Sequence, residues 1–140
     1  MTTITATRKL EFDAAHRVKR HESKCKNLHG HRYVVEVTAQ APQLDALGRV
    51  VDFGELKAKL GGWIDEYWDH ETILWVEDKA LGDAISGETG QPIYYLADNP
   101  TAENMAKYLL EEICPSLFTA PLKVVKITLR ETPNCWVEVV

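Results

Sequence analysis

His29-Gly30-His31-Arg32-Tyr33-Val34-Val35-Glu36-Val37-Thr38-Ala39 carries apolar side chains at its odd positions from Tyr33 to Ala39, against Arg32, Glu36 and Thr38 at even ones. A period of two is the pattern of a strand buried on one face, and it puts His29 and His31 in the phase of that face. Upstream, Ile4, Ala6, Leu10, Phe12 and Ala14 hold even positions with one lapse at Arg8, and His16 falls in the same phase. If the two strands pair as a hairpin, three imidazoles can reach one ion, and Gly30 lets backbone or substrate come close. Three neutral imidazoles with a fourth position open is the arrangement of catalytic zinc, although copper, nickel and iron also accept such ligands. The plain alternative is two strand histidines with ordinary hydrogen bonds near an unconnected third.

Downstream, Asp52 can cap a helix with Glu55 at its third position, and Phe53, Leu56, Leu60, Trp63, Ile64 and Tyr67 form its apolar stripe. Gly61-Gly62 costs this helix about 1 kcal/mol per glycine relative to alanine, so a kink or an early end is expected. A second helix is expected from Asn99-Pro100-Thr101 to Pro115, turning Ala102, Met105, Ala106, Leu109, Leu110 and Ile113 inward. Val125, Ile127 and Leu129 then alternate with Lys126, Thr128 and Arg130, and Trp136 to Val140 reads as a hairpin partner across Thr132 to Asn134. The order is β-β-α-α-β-β in one domain over 1–140. Segregated strands and helices predict an α+β fold, an antiparallel sheet with helices on one face.

The 140 residues are 45% hydrophobic and 26% charged, too apolar for disorder and of a length that suits one compact domain. Apolar runs such as Ile73 to Val76 are too short to span a membrane, and Met1 to Arg8 has no apolar core of a secretory signal. The net charge of −5, with no basic stripe, argues against nucleic acid as a partner. Cys25, Cys114 and Cys135 are odd in number and lack CxxC spacing, which points to a reducing cytoplasm.

Three further groups carry potential chemistry. Cys25 lies between Lys24 and Lys26, four residues before His29, where cations favour a thiolate; the plain alternative is an incidental loop thiol. Asp69 next to His70 can orient an imidazole, although adjacent side chains usually point apart and a surface helix end is the commoner fate. Glu131 shares the phase of Ile127 and Leu129, so a carboxylate is aimed at the buried side, where it needs a partner. That partner is either an internal Arg or Lys or a ligand offering two adjacent N–H donors, as a guanine or pterin ring does.

Together these stretches resemble the 6-pyruvoyl-tetrahydropterin synthase / 6-carboxytetrahydropterin synthase family: Phe12-Asp13-Ala14-Ala15-His16-Arg17, Cys25-Lys26-Asn27-Leu28-His29-Gly30-His31, Val51-Asp52-Phe53-Gly54-Glu55-Leu56-Lys57, Asp69-His70, Asn99-Pro100-Thr101-Ala102-Glu103-Asn104 and Arg130-Glu131-Thr132. The resemblance implies a tunnelling fold, in which subunits join sheets into a barrel, commonly as a homohexamer of two stacked trimers with sites between subunits. It implies zinc on His16, His29 and His31, Cys25 as proton acceptor with Asp69 and His70 as relay partners, and Glu131 as pterin anchor. Thr101 to Glu103 resemble a segment lining the pterin pocket, and Lys24, Lys26 or Arg17 are candidates for a triphosphate by charge.

The three-residue spacer between Cys25 and His29 resembles the branch of the queuosine (7-deazaguanine) pathway. The implied reaction turns 7,8-dihydroneopterin triphosphate and water into 6-carboxy-5,6,7,8-tetrahydropterin, acetaldehyde and triphosphate, with no nicotinamide. Other readings are a pyruvoyl-forming or side-chain-cleaving pterin enzyme and a non-catalytic pterin- or metal-binding oligomer. One departure stands out. Asp69-His70 continues as Glu71-Thr72-Ile73-Leu74-Trp75, and Glu71 to Asp98 exceeds the usual connection, which predicts a surface excursion, or else a remodelled pocket mouth or subunit contact.

Overall fold

The computed structural model describes residues 2–140; Met1, the first residue of the expected domain, lies outside them. Strands β1 (Thr5–His16) and β2 (His29–Gln40) form the antiparallel hairpin that the alternation predicts, with His16 opposite His29 and Ala14 opposite His31. Even positions of β1 and odd positions of β2 face one core, where Phe12, Tyr33, Val35 and Val37 are fully buried. Each such side chain contributes about 1.5–3 kcal/mol relative to exposure.

Asp52 caps α1 (Phe53–Leu56) by accepting from the Gly54 N–H at 2.9 Å. The helical run continues through a π turn (Lys57–Gly61) into α2 (Gly62–Tyr67), so the glycine pair neither ends nor breaks it. The buried residues here are Leu56, Leu60, Ile64 and Trp68, spaced by four, whereas Phe53 and Tyr67 are 54% and 42% exposed. A four-residue repeat drifts around an ideal 3.6-residue helix, and a wider π turn returns it to one face. The second long helical run repeats this: α4 (Ala102–Tyr108), a π turn (Leu109–Ile113) and α5 (Cys114–Leu117) bury Met105, Leu109 and Ile113. Pro115 does not stop it, because it falls in the first turn of α5, where no N–H is needed.

The expected surface excursion is instead part of the sheet. It supplies β3 (Glu71–Trp75), α3 (Lys79–Thr89) and β4 (Ile93–Leu96). β3 runs parallel to both β1 and β4, and the sheet has the order β4-β3-β1-β2-β5-β6, with β5 (Lys123–Thr132) and β6 (Cys135–Val139) as the final hairpin. The fold is therefore α+β as expected, but the sheet is mixed rather than antiparallel. Nor do all helices share one face. Tyr94 turns toward Trp63, Trp68 and Tyr108 in the main core, while its neighbour Tyr95 turns the other way, so close to α3 that a Cβ on Gly82 would overlap its hydroxyl. Covered on both faces, β3 buries Thr72, Ile73 and Leu74 in succession, which is why it shows no alternation.

Two irregularities shape β5. Opposite Thr38 and Ala39 the register skips Val125, so Val124 takes the core position assigned to Val125 by strict alternation. Against β6 a second shift falls between Arg130 and Thr132, which leaves Glu131 as the extra residue of a bulge.

Candidate metal centre

The hairpin register brings His16, His29 and His31 together, with one ligand nitrogen from each lying within 4.8 Å of the others. His16, fully buried at the end of β1, shares Nδ1 with the Pro100 carbonyl at 2.7 Å; because a carbonyl only accepts, Nδ1 carries the proton and Nε2 presents a lone pair. His29 does the same with the Asn27 carbonyl at 2.6 Å. A backbone carbonyl on the far nitrogen is the usual outer support of a metal-ligating imidazole. Beneath the three rings, Phe12 and Tyr33 stack at 5.0 Å, and Tyr33 meets His31 and His16 edge-on at 5.4 and 5.8 Å.

Burial keeps His16 neutral, pushing its pKa down to about 4 against the pull of the Pro100 bond, with the other two imidazoles adding to the drop. Burial likewise lowers His31, opposed by the Glu131 carboxylate. Glu131 points at this cluster, with Oε2 3.1 Å from His31 Nε2 and 3.6 Å from His16 Nε2. Both nitrogens are buried and neither forms an aligned hydrogen bond among the described residues. A carboxylate facing the lone pair of His16 is repelled unless a cation lies between them. Neutral imidazoles of fixed tautomer, orphaned nitrogens and a nearby carboxylate fit a divalent ion of the zinc type.

Asp69 and His70 stand apart from this cluster. His70 adopts φ +62°, and its N–H donates to the Asp13 carbonyl at 2.6 Å, while Asp69 Oδ1 accepts from the Asp13 N–H at 3.0 Å. A left-handed backbone at a non-glycine residue is uncommon and marks a constrained position. Here it turns two adjacent side chains together, with Asp69 Oδ2 3.0 Å from His70 Nδ1, against the expectation that they point apart. Asp69 stays below the usual carboxylate range: the bonds from Asp13 and His70 outweigh its desolvation. The pair clusters with Asp13, whose side chain meets Arg32 on the opposite sheet face from His16. Asp69 and His70 thus close α2 onto β3 rather than opening a long loop.

Cys25 sits in a short 3-10 turn, Lys24–Lys26, and its carbonyl accepts from the Val18 N–H at 2.8 Å. It is partly buried and joins neither side-chain cluster. Burial pushes the Cys114 thiol up to about 12, an inert core residue, and Cys135 is exposed in the final hairpin. Thr101 caps α4, accepting from the Asn104 N–H at 3.1 Å, and Glu103 is exposed in its first turn. Of the basic candidates, Arg17 is held by Asp78, with Nε donating to Oδ2 at 2.6 Å, whereas Lys24 and Lys26 are exposed. Sequence reasoning missed Asp78 as the partner of Arg17 and the Pro100 carbonyl as the partner of His16, because acceptors 61 and 84 positions away leave no local signal. A concavity of ≈ 600 Å³ lined by Leu110, Cys114, Phe118 and Val124 lies at the far end of the strands from the histidines.

The sequence model described as 6-pyruvoyl tetrahydropterin synthase matches residues 5–140. A protein of Rickettsia bellii named 6-carboxy-5,6,7,8-tetrahydropterin synthase is 53% identical over 137 residues, covering 97% of this chain and 99% of its own. One of the same name from Aquifex aeolicus is 38% identical over 79% of this chain and 72% of its own. Among solved structures, an uncharacterized protein of Wolinella succinogenes superposes with TM-score 0.83 at 23% identity, covering 99% of this chain and 98% of its own. The 6-pyruvoyl tetrahydropterin synthase of Caenorhabditis elegans gives 0.70 at 27% identity, covering 99% and 96%. Among the described residues no helix is long and apolar enough to cross a membrane.

Proposed function

Since the chain belongs to the 6-pyruvoyl tetrahydropterin synthase family, we propose that it is a zinc-dependent 6-carboxy-5,6,7,8-tetrahydropterin synthase. It takes 7,8-dihydroneopterin triphosphate and water to 6-carboxytetrahydropterin, acetaldehyde and triphosphate, in the cytoplasm and on the route to queuosine. The observation that carries this reading is the convergence of the three imidazole nitrogens with the Glu131 carboxylate at 3.1 Å. The near-full-length similarity to proteins of that name supports it.

His16, His29 and His31 would hold the zinc, which when bound supplies Lewis acidity toward the hydroxyls of the substrate side chain. Glu131 accepts two N–H bonds from the pterin ring, and charge-assisted bonds of this kind orient as well as hold. The Phe12–Tyr33 stack closes the floor beneath the histidines and excludes water from that side. Cys25 takes a proton from the side chain, and His70, oriented by Asp69, passes protons on. Thr101 and Glu103 line the pterin pocket, and Lys24 and Lys26 face the triphosphate.

Within one chain the Asp69–His70 pair and the histidine cluster lie on opposite sheet faces. The relay pair and the histidines that act on one substrate therefore come from different copies, and the assembly proposed for them is the homohexamer, a dimer of trimers with its sites between subunits. Mass spectrometry after adding zinc-loaded protein to 7,8-dihydroneopterin triphosphate tests the assignment. A 6-carboxy product with acetaldehyde is expected. A pyruvoyl or hydroxymethyl product would move the chain to another branch, and pterin binding without turnover would make it a non-catalytic oligomer.

A further inference from the structure

Three residues beyond His16, the backbone of Lys19 is gripped by one side chain. The Lys19 N–H donates to Asn99 Oδ1 at 3.1 Å, and Asn99 Nδ2 donates to the Lys19 carbonyl at 2.9 Å. The Asn99 carbonyl in turn accepts from the Thr101 N–H at 2.8 Å and from Asn104 Nδ2 at 2.9 Å. The next carbonyl, that of Pro100, is the one bonded to His16 Nδ1 at 2.7 Å. His16 to Lys19 on one side and Asn99-Pro100 on the other therefore form a ring closed at both ends, by an imidazole–carbonyl bond and by a two-bond amide grip.

Resting on the reading of His16 as a metal ligand, we propose that Asn99 is a positioning residue for that ligand, setting the Pro100 carbonyl and with it the tautomer and orientation of the imidazole. The proline that follows confines residue 99 to extended backbone, which leaves the amide side chain as the means of docking. The position needs a donor and an acceptor at once. Asparagine supplies both, whereas aspartate only accepts and alanine does neither. Outer partners of ligating histidines change metal affinity by roughly 10–100-fold when removed.

The test compares zinc affinity, by competition with a chromogenic chelator, and the ring-nitrogen NMR signals of His16 in metal-free protein. The variants are Asn99→Ala and Asn99→Asp, the second keeping size and the acceptor for the Lys19 N–H. Asp45→Ala, which opens the remote Asp45–Arg49 turn, controls for general loss of stability. Asn99→Ala is expected to bind zinc at least about tenfold more weakly and to lose the single protonated-Nδ1 signal, with Asn99→Asp shifted the same way and Asp45→Ala unchanged. Folded Asn99 variants with wild-type affinity and an unaltered His16 signal would overturn the proposal, as would an equal loss in Asp45→Ala. Wild-type protein that takes up no zinc would remove the metal reading itself, and the His16 signal alone then decides whether Asn99 sets the ring.

Discussion

Arg17, next to His16, and Asp78, in the turn between β3 and α3, form a two-pronged ion pair, Nε to Oδ2 at 2.6 Å and Nη2 to Oδ1. The carboxylate is almost fully buried, 2% exposed, while the guanidinium keeps contact with solvent. The segment that follows β3 is thus fastened to the strand that bears the first imidazole. Asp78→Ala is expected to cost about 3 kcal/mol, the lower end for breaking a buried pair because Arg17 is partly exposed. Urea unfolding measures it. Arg17→Met with Asp78→Leu should recover most of that loss, since apolar replacement leaves no uncompensated charge.

The same pair sets a pH dependence. The Arg17 hydrogen bond holds the Asp78 carboxyl below its ordinary range, against the cost of its burial. The unfolded chain then binds the proton more readily, so the pair's contribution is fully present above the unfolded value of about 3.9 and is lost as pH falls below it. Acid unfolding of Asp78→Asn should lack that component; an identical acid limb in variant and wild type would refute it.

His29→Ala is expected to leave less than about a tenth of the wild-type zinc after dialysis, as two imidazoles without the third form an incomplete site. Zinc at about 100 times its dissociation constant should stabilise the wild type by about 2.7 kcal/mol and the variant scarcely at all. Metal analysis and thermal melting with and without a chelator check both.

Cys25 joins neither ligand cluster. Cys25→Ala should therefore abolish turnover while zinc content stays near wild type. Loss of metal together with activity would place the thiol on the ion.

Glu131→Gln keeps the shape of the side chain but loses the charge that two ring N–H groups would meet. Pterin affinity should fall about 10–100-fold, from loss of charge-assisted bonds of about 1.5–3 kcal/mol, with the fold intact. Calorimetric titration with a reduced pterin reads the change, and unaltered affinity would count against the anchor role.

Much of this was legible in the residues because it depends on local period. The alternation in β1 and β2 assigned His16, His29 and His31 to one face, and the cap at Asp52 stands where capping chemistry puts it, whereas the second helix begins after Pro100, on a Thr101 cap that the sequence reading did not name. What stayed hidden depends on partners far along the chain. β3 is five residues long and buried on both faces, so it carries no period, and β4 has only four residues. The stripe read at 3.6 residues placed Phe53 and Tyr67 inside, whereas the π turns serve a repeat of four that ends on Trp68. Glu131 lies beside His31, on the side its phase gives it, and only the accompanying bulge against β6 goes unannounced by periodicity.

The separation of Glu131 from the histidines also orders events during synthesis. All three imidazoles belong to the first hairpin, complete by Gln40, whereas the carboxylate beside them leaves the ribosome a hundred residues after His31 (131 − 31). The Pro100 carbonyl that fixes His16 arrives between the two. On the proposed assignment, the side chains that would hold an ion are thus all made well before the carboxylate that would meet a ring, and the two halves of the site join only when β5 pairs with β2.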